Sequence, residues 1–206
     1  MRERPIILRA HEVRGILAGR VTQVRRPVPA TWRTFSIEHI GPLGSENDPD
    51  EWGFEDGDGD IYTLAHGIPC PFGERGDRLW VRETHGRSSN KWTPVHYLAD
   101  GPLPTIDERH DAGLLRTFSA AAMPRWASRL TLTVADVRVE RVQDATGEDI
   151  HAEGIHAIRI PMFGEVVTVF GHDDPAASAC SEFPSEAFRR TWDAFFSKRD
   201  AGWDVN

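Results

Sequence analysis

Residues 16–26 constrain the fold of this chain more than any other segment. Their first part completes an apolar pattern of helical spacing that begins at Ala10, and Gly19 stands where helices commonly end in a left-handed residue. A short polar segment with three arginines follows at once. The pattern therefore predicts a helix over 10–18 and a strand over 21–26.

Strand and helix patterns are mixed along the rest of the chain, which is typical of an α+β fold. An Asp-Gly turn within 51–64 predicts a hairpin, and the alternation of residues 78–84 predicts a half-buried strand. Thr146 begins a short helix with Asp149 three residues on, an acidic variant of the capping box. A last helix is predicted over 185–198, capped by its first residue.

Length and composition bound the class of protein. A chain of 206 residues suits one domain over 1–206, interrupted by polar, irregular insertions near 101–120 and 156–183. No apolar run approaches the roughly 20 residues that a membrane helix needs, and the first residues lack a signal-peptide core. We therefore expect a soluble, cytoplasmic protein without a membrane partner.

Charge is distributed unevenly along the chain. The formal net charge of −8 argues against a protein that coats nucleic acid through many phosphate contacts. Residues 2–33 nevertheless carry eight arginines against two glutamates, whereas residues 34–77 carry eleven acids against one arginine. This polarity predicts either a local basic face on an acidic body or two segments that neutralise each other across the surface.

Two groups of residues resemble metal sites, and neither has the spacing that a metal requires. The acidic run at 56–60 is followed by Ile61 where a calcium loop needs glycine, so a hairpin turn is the better interpretation. The second group has an H-x3-C spacing that is not a zinc knuckle, and its two halves are distant in sequence. Its members are His66, Cys70, His172 and Cys180. We expect neither a metal nor a cofactor.

The segment after the first helix resembles the opening of the ASCH domain, a branch of the PUA-like barrels that handle RNA and modified nucleosides. The familiar motif of that family reads G-R-K-T-x-T-x-R. This chain matches its frame at Gly19, Thr22 and Arg26. The lysine position holds Val21 and the second threonine position holds Val24.

Further pieces continue the resemblance along most of the chain outside the two insertions. They are the segments 76–83, 123–129, 136–141 and 148–155. The ordered set is similar to a phage- or prophage-type ASCH protein. The resemblance implies a PUA-like small mixed β-barrel with flanking helices at 10–18, 146–154 and 185–198.

The resemblance also implies a chemistry. Small bacterial ASCH proteins hydrolyse N4-acetylcytidine to cytidine and acetate, with the motif lysine, the second threonine and a glutamate of the short helix. By position, that glutamate matches Glu153 and the closing arginine matches Arg26, which makes them the candidate catalytic residues. Val21 and Val24 supply no nucleophile, proton or charge, so lysine-dependent catalysis is not expected.

Candidate ligand-binding residues are arginines and aromatic residues. Guanidinium forks suit phosphates and base edges, and an aromatic ring stacked on a base contributes about 1–3 kcal/mol. Among the tryptophans Trp80, Trp92 and Trp126, the last has arginines close by and is the better stacking candidate, whereas Trp80 has the pattern of a core residue. A purely structural role is the alternative for each candidate. The candidates are Arg20, Thr22, Arg25, Trp80, Arg82, Glu83, Arg125 and Trp126.

Three functions remain open from the sequence. The leading one is binding of RNA, or of a modified nucleoside or nucleotide, in a cleft between the first helix–strand unit and the helix at 146–154. The second is an enzyme, a nucleoside amidohydrolase or ribonuclease that uses Glu153 and Arg26. The third is a phage-encoded protein-interaction scaffold. The oligomeric state is left open.

Overall fold

The chain has a mixed α+β fold with several small sheets and three helices among the residues that can be described. A computed structural model describes residues 2–28, 37–42, 52–63, 70–87, 95–103, 116–162, 165–172, 180–199 and 201–204. The chain divides into two compact units. The first comprises Met1–Leu17 and Cys70–Val137, and the second Ala18–Pro69 and Arg138–Asn206. A single domain over 1–206 stays a prediction.

The elements in the described ranges follow in chain order. The strands are β1 (Glu3–Ile7), β2 (Ile37–Pro42), β3 (Trp52–Asp56), β4 (Ile61–Thr63), β5 (Arg78–Arg82), β6 (His85–Arg87), β7 (His96–Tyr97), β8 (Arg116–Phe118), β9 (Thr131–Thr133), β10 (His156–Met162) and β11 (Glu165–Gly171). The helices are α1 (Ala10–Leu17), α2 (Gly147–Ala152) and α3 (Pro184–Phe196). None of these helices is long and apolar enough to cross a membrane.

The first unit contains α1 and two three-stranded sheets. In one sheet, β5 is central, with β1 parallel on one side and β9 antiparallel on the other. In the other, β6 is central and pairs antiparallel with β7 and β8. The alternation predicted for β5 is confirmed, because Leu79 and Val81 are buried whereas Trp80 and Arg82 are only partly covered.

The second unit contains the sheet β2–β3–β4, the hairpin β10–β11 and the helices α2 and α3. Its core forms along α3, where Phe188, Trp192 and Phe196 recur at helical spacing and are at most 4% exposed. These side chains pack with Ile150 of α2 and Ile155 beyond it. The core therefore fixes the C-terminal end of α2, where Glu153 lies.

Helix predictions are confirmed at slightly shorter bounds, and one cap is wrong. Thr146 and Asp149 form the predicted capping box at the start of α2. The predicted cap of the last helix, Ser185, already lies inside α3. Pro184 occupies the first turn instead, because its fixed φ suits that position, and Phe183 is the cap without a side-chain hydrogen bond.

Strand predictions are confirmed for the hairpin at 51–64 and wrong for the segment 21–26, in which no strand forms. The segment 128–142 contains the short strand β9. The predicted insertion near 156–183 contains the regular antiparallel hairpin β10–β11. Part of the insertion near 101–120 lies outside the described residues.

Candidate nucleic-acid interface

One face of β6 and β8 gathers a histidine, a phenylalanine and two arginines. The register pairs His85 with Phe118 and Arg87 with Arg116, and residues two apart on a strand share a face. All four side chains therefore project from the same side of the two strands. The two arginines lie directly opposite each other, an arrangement of like charges that normally destabilises a strand pair.

The ring of Phe118 is the centre of this face. His85 stacks on it with ring centroids 5.6 Å apart. The guanidinium carbons of Arg87 and Arg116 lie 4.5 and 5.9 Å from the same centroid. A cation–π contact is worth about 0.5–1 kcal/mol at an exposed site, so the ring offsets part of the repulsion and leaves both positive charges in place.

Trp126 adds an exposed ring beside these charges. It is 69% exposed, and its centroid lies 5.6 Å from the guanidinium carbon of Arg87. Its backbone is fixed, because the next residue, Ala127, is buried and accepts a 2.9 Å hydrogen bond from the hydroxyl of Tyr97. An indole held in this way presents a flat surface to solvent at a low entropic cost.

Two polar atoms on this face are buried without a hydrogen-bond partner in the described part of the chain, Nε of Arg87 and Nε2 of His85. Nδ1 of His85 lies 3.1 Å from the carbonyl oxygen of Glu83, which can only accept, so Nδ1 carries the proton and Nε2 is an acceptor. Burial lowers the pKa of His85, and the charge of Arg87 adds to that effect. The imidazole is therefore neutral at pH 7. Buried unsatisfied groups are rare and call for an explanation.

The polar face of β5 brings together three of the residues predicted from the sequence. The guanidinium carbons of Arg82 and Arg125 lie 5.4 and 5.8 Å from the ring of Trp80. Arg125 also donates two hydrogen bonds, of 3.0 and 2.9 Å, to the carboxylate of Glu3. We name Trp80, Arg82, Arg87, Arg116, Phe118, Arg125 and Trp126 the arginine–aromatic surface.

Glu83, another predicted ligand residue, is only 2% exposed and has a structural partner. Arg129 donates two parallel hydrogen bonds to it, of 2.9 and 3.0 Å. The same guanidinium bonds Asp100 at 2.8 Å and lies 3.9 Å from the ring centroid of Tyr97. Glu83 thus orients Arg129 and the loop before β9, and a role for it in ligand binding stays a prediction.

The predicted catalytic glutamate lies in the second unit, in an ion-paired triad. Arg25 donates hydrogen bonds to both Glu140 and Glu153, and the three side chains are 10%, 14% and 13% exposed. The guanidinium carbon of Arg25 also lies 5.6 Å from the ring centroid of Phe188 on α3. One arginine therefore joins the segment after α1 to the end of α2 and to the core helix.

A second arginine extends this network toward the start of α2. Arg138 donates 2.9 Å hydrogen bonds to Gln23 and Asp149, and it lies 3.9 Å from Glu140. Burial alone would raise the pKa of Asp149. Hydrogen bonds from Arg138, Thr146 and Gln23 outweigh that effect and hold the pKa well below its usual range. The carboxylate stays ionised in the folded protein.

The ASCH-like motif segment lies against the end of α2. The amides of Thr22 and Gln23 donate to the carbonyl of Ala152 at 2.9 and 3.2 Å. Val21 is 6% exposed, and a Cβ built on Gly154 would lie 2.7 Å from its Cγ2. The lysine position of the motif is therefore filled by a buried apolar contact.

Two further arginines lie in the motif segment. Arg20 is exposed, and Nη1 of Arg26 donates a 2.9 Å hydrogen bond to the carbonyl of Arg25. The structure thus brings Arg25 and Glu153 together and places Arg26 beside them along the chain. The catalytic roles of Glu153 and Arg26 stay predictions.

Sequence reasoning missed four residues of the arginine–aromatic surface and its base: His85, Arg87, Arg116 and Phe118. The available signal was the i, i+2 alternation within two short segments, because each segment holds two of them. Their pairing joins positions far apart in the chain, which alternation does not reveal. Trp92 and His66, which were also considered, lie outside the described residues.

Comparisons with protein-family models, curated proteins and solved structures find no match for this chain. Within the described ranges, no group of three or more His, Cys, Asp or Glu residues has the arrangement of a metal site.

Proposed function

We propose that the chain binds RNA, or a modified nucleoside or nucleotide, on the arginine–aromatic surface. The exposed ring of Trp126 beside the guanidinium group of Arg87 is the observation that supports this most directly. Single-stranded nucleic acids bind to fixed aromatic rings that stack on bases, next to cationic groups that contact phosphates. Both components are present here within 5.6 Å of each other.

We further propose that the fold is a PUA-like small mixed β-barrel of the ASCH type. The ordered motif pieces and the confirmed helices α1, α2 and α3 support this proposal. In that fold, RNA and nucleotide partners and a cytoplasmic location are the natural expectation.

The proposed activity is binding without lysine-dependent catalysis. Val21 is buried where the family has its lysine, and one oxygen of Glu153 accepts a hydrogen bond from Arg25. A general base needs an accessible acceptor close to the proton that it removes. These contacts favour binding over the amidohydrolase alternative, and no observation favours the scaffold alternative.

The test is the affinity for a short, fluorescently labelled single-stranded RNA, measured by anisotropy at low salt. We expect the full chain to bind saturably, and Trp126→Ala to weaken binding by about tenfold, since loss of one stacking contact costs about 1–3 kcal/mol. Phe183→Ala is the matched control, because Phe183 is an aromatic side chain of similar exposure, 65%, in the other unit. Equal affinities for the chain and Trp126→Ala would reject the stacking role.

A further inference from the structure

We infer that Arg87 and Arg116 form a phosphate subsite, so that the surface selects phosphorylated nucleosides and RNA over free nucleosides. This inference rests on the proposed function, and it names the chemical class of the ligand. It depends on the pairing of the two arginines across β6 and β8.

The two arginines differ from several others in the described part of the chain. Arg25, Arg125 and Arg129 each form an ion pair with a carboxylate. Neither Arg87 nor Arg116 has an acidic partner among the described residues, although they lie directly opposite each other. Among the described residues, the rings of Phe118 and Trp126 lie against their guanidinium groups, and a ring carries no net charge. An anion between the two guanidinium groups would remove the repulsion and add charge-assisted hydrogen bonds.

A second observation points to the same place. Nε of Arg87, an N–H donor, is buried and unsatisfied in the described part of the chain. Native proteins leave few such atoms without a partner, and a missing ligand is one reason for them. An unpaired donor on one of the two facing arginines therefore indicates a ligand with hydrogen-bond acceptors, which a phosphate has and an apolar ligand lacks.

Phosphate fits better than other anions because of what lies beside it. The guanidinium fork matches the oxygens of a phosphate with two parallel hydrogen bonds. Trp126 lies next to Arg87 and offers a stacking surface for a base. A ligand that carries both a base and a phosphate, a nucleotide or a single-stranded RNA, would contact the ring and the arginine pair together.

The experiment measures competition by adenosine, adenosine 5′-monophosphate and inorganic phosphate against the labelled RNA, with the full chain. We expect the monophosphate to bind about tenfold more tightly than the nucleoside. Arg116→Gln should reduce that preference to less than about threefold, because it removes one of the two guanidinium groups proposed to hold the phosphate. Arg189→Gln, an exposed arginine on α3, is the charge-matched control.

Two results would overturn the subsite: equal affinities for nucleoside and monophosphate in the wild-type chain, or a preference that persists in the Arg87→Gln, Arg116→Gln double variant. Thermal unfolding of each variant identifies any loss of fold, and Arg116→Gln replaces an exposed side chain. The two proposals fail separately. Trp126→Ala with unchanged RNA and nucleoside affinity rejects base stacking alone, whereas a wild-type chain that binds nucleoside and monophosphate equally well rejects the subsite alone.

Discussion

At the scale of single residues, the two ion pairs of Arg25 in the second unit can be tested by substitution. Arg25→Ala leaves Glu140 and Glu153 close together in a mostly buried site without the cation between them. Breaking a buried ion pair from one side typically costs about 3 kcal/mol. We expect a loss of that order in the free energy of unfolding, measured by urea denaturation.

The matched comparison is Arg189→Ala, which removes an arginine that is 48% exposed and lies 3.9 Å from Asp193. An exposed pair contributes little, so we expect a loss below about 0.5 kcal/mol. If the two variants lose equal stability, the ion pairs of Arg25 with Glu140 and Glu153 stabilise the fold no more than an exposed ion pair does.

The same residues show how far sequence reasoning reaches at this scale. The motif frame predicted Arg26 and Glu153 as the catalytic pair, whereas the structure shows a hydrogen bond from Arg25 to Glu153. Val21 was interpreted through the lysine that it replaces, whereas its role in the fold is a contact with Gly154. A single sequence gives residue types and spacing, but it does not show which distant side chain each one meets.

At the scale of elements, the docking of the motif segment on α2 depends on Gly154. This residue has a φ of +91°, and an added Cβ would lie 2.7 Å from Cγ2 of Val21. Gly154→Ala should therefore cost more than Gly19→Ala, since Gly19 has a φ of +69° with nothing within 4 Å. The backbone cost of about 1–2 kcal/mol is common to both, and overpacking adds about 1–3 kcal/mol at Gly154 alone.

A double-mutant cycle isolates the contact. Val21→Ala shortens the side chain that clashes, so Gly154→Ala combined with Val21→Ala should lose less stability than the sum of the two single variants, by about 0.5–3 kcal/mol. Urea unfolding of the four proteins gives this coupling energy. Additive losses would mean that the motif segment does not pack on the end of α2.

Helices were more predictable than strands because their signals are local. The capping box at Thr146 and the apolar face of α3 lie within one segment each, and both were predicted. The segment 21–26 has a strand-like composition, but no strand in the described ranges pairs with it, and the amides of Thr22 and Gln23 donate to the carbonyl of Ala152 instead. A strand forms only when it pairs with another strand, and the sequence of one strand does not identify its partner.

At the scale of the whole molecule, the two units could not be predicted from the sequence because neither is continuous. Each combines a segment from the first third of the chain with one that begins much later. The boundary between the first two segments falls after Leu17, inside the stretch that reads as one motif. The charge distribution did not locate the arginine–aromatic surface either, because the basic face was predicted from the arginines of residues 2–33, whereas the surface takes its arginines from residues 82–125.

The whole-molecule prediction concerns salt. A chain with a net charge of −8 that contacts RNA phosphate through Arg87 and Arg116 should release few counterions. For single strands the logarithm of the affinity falls with the logarithm of salt concentration by about 0.7 for each phosphate contact, so two contacts predict a slope of about −1.4. Arg116→Gln should reduce the slope to about −0.7, whereas Arg189→Gln should leave it unchanged.

Anisotropy titrations between roughly 50 and 200 mM salt measure these slopes. A wild-type slope of about −4 or steeper would indicate an extended basic interface, which contradicts a small site on an acidic body.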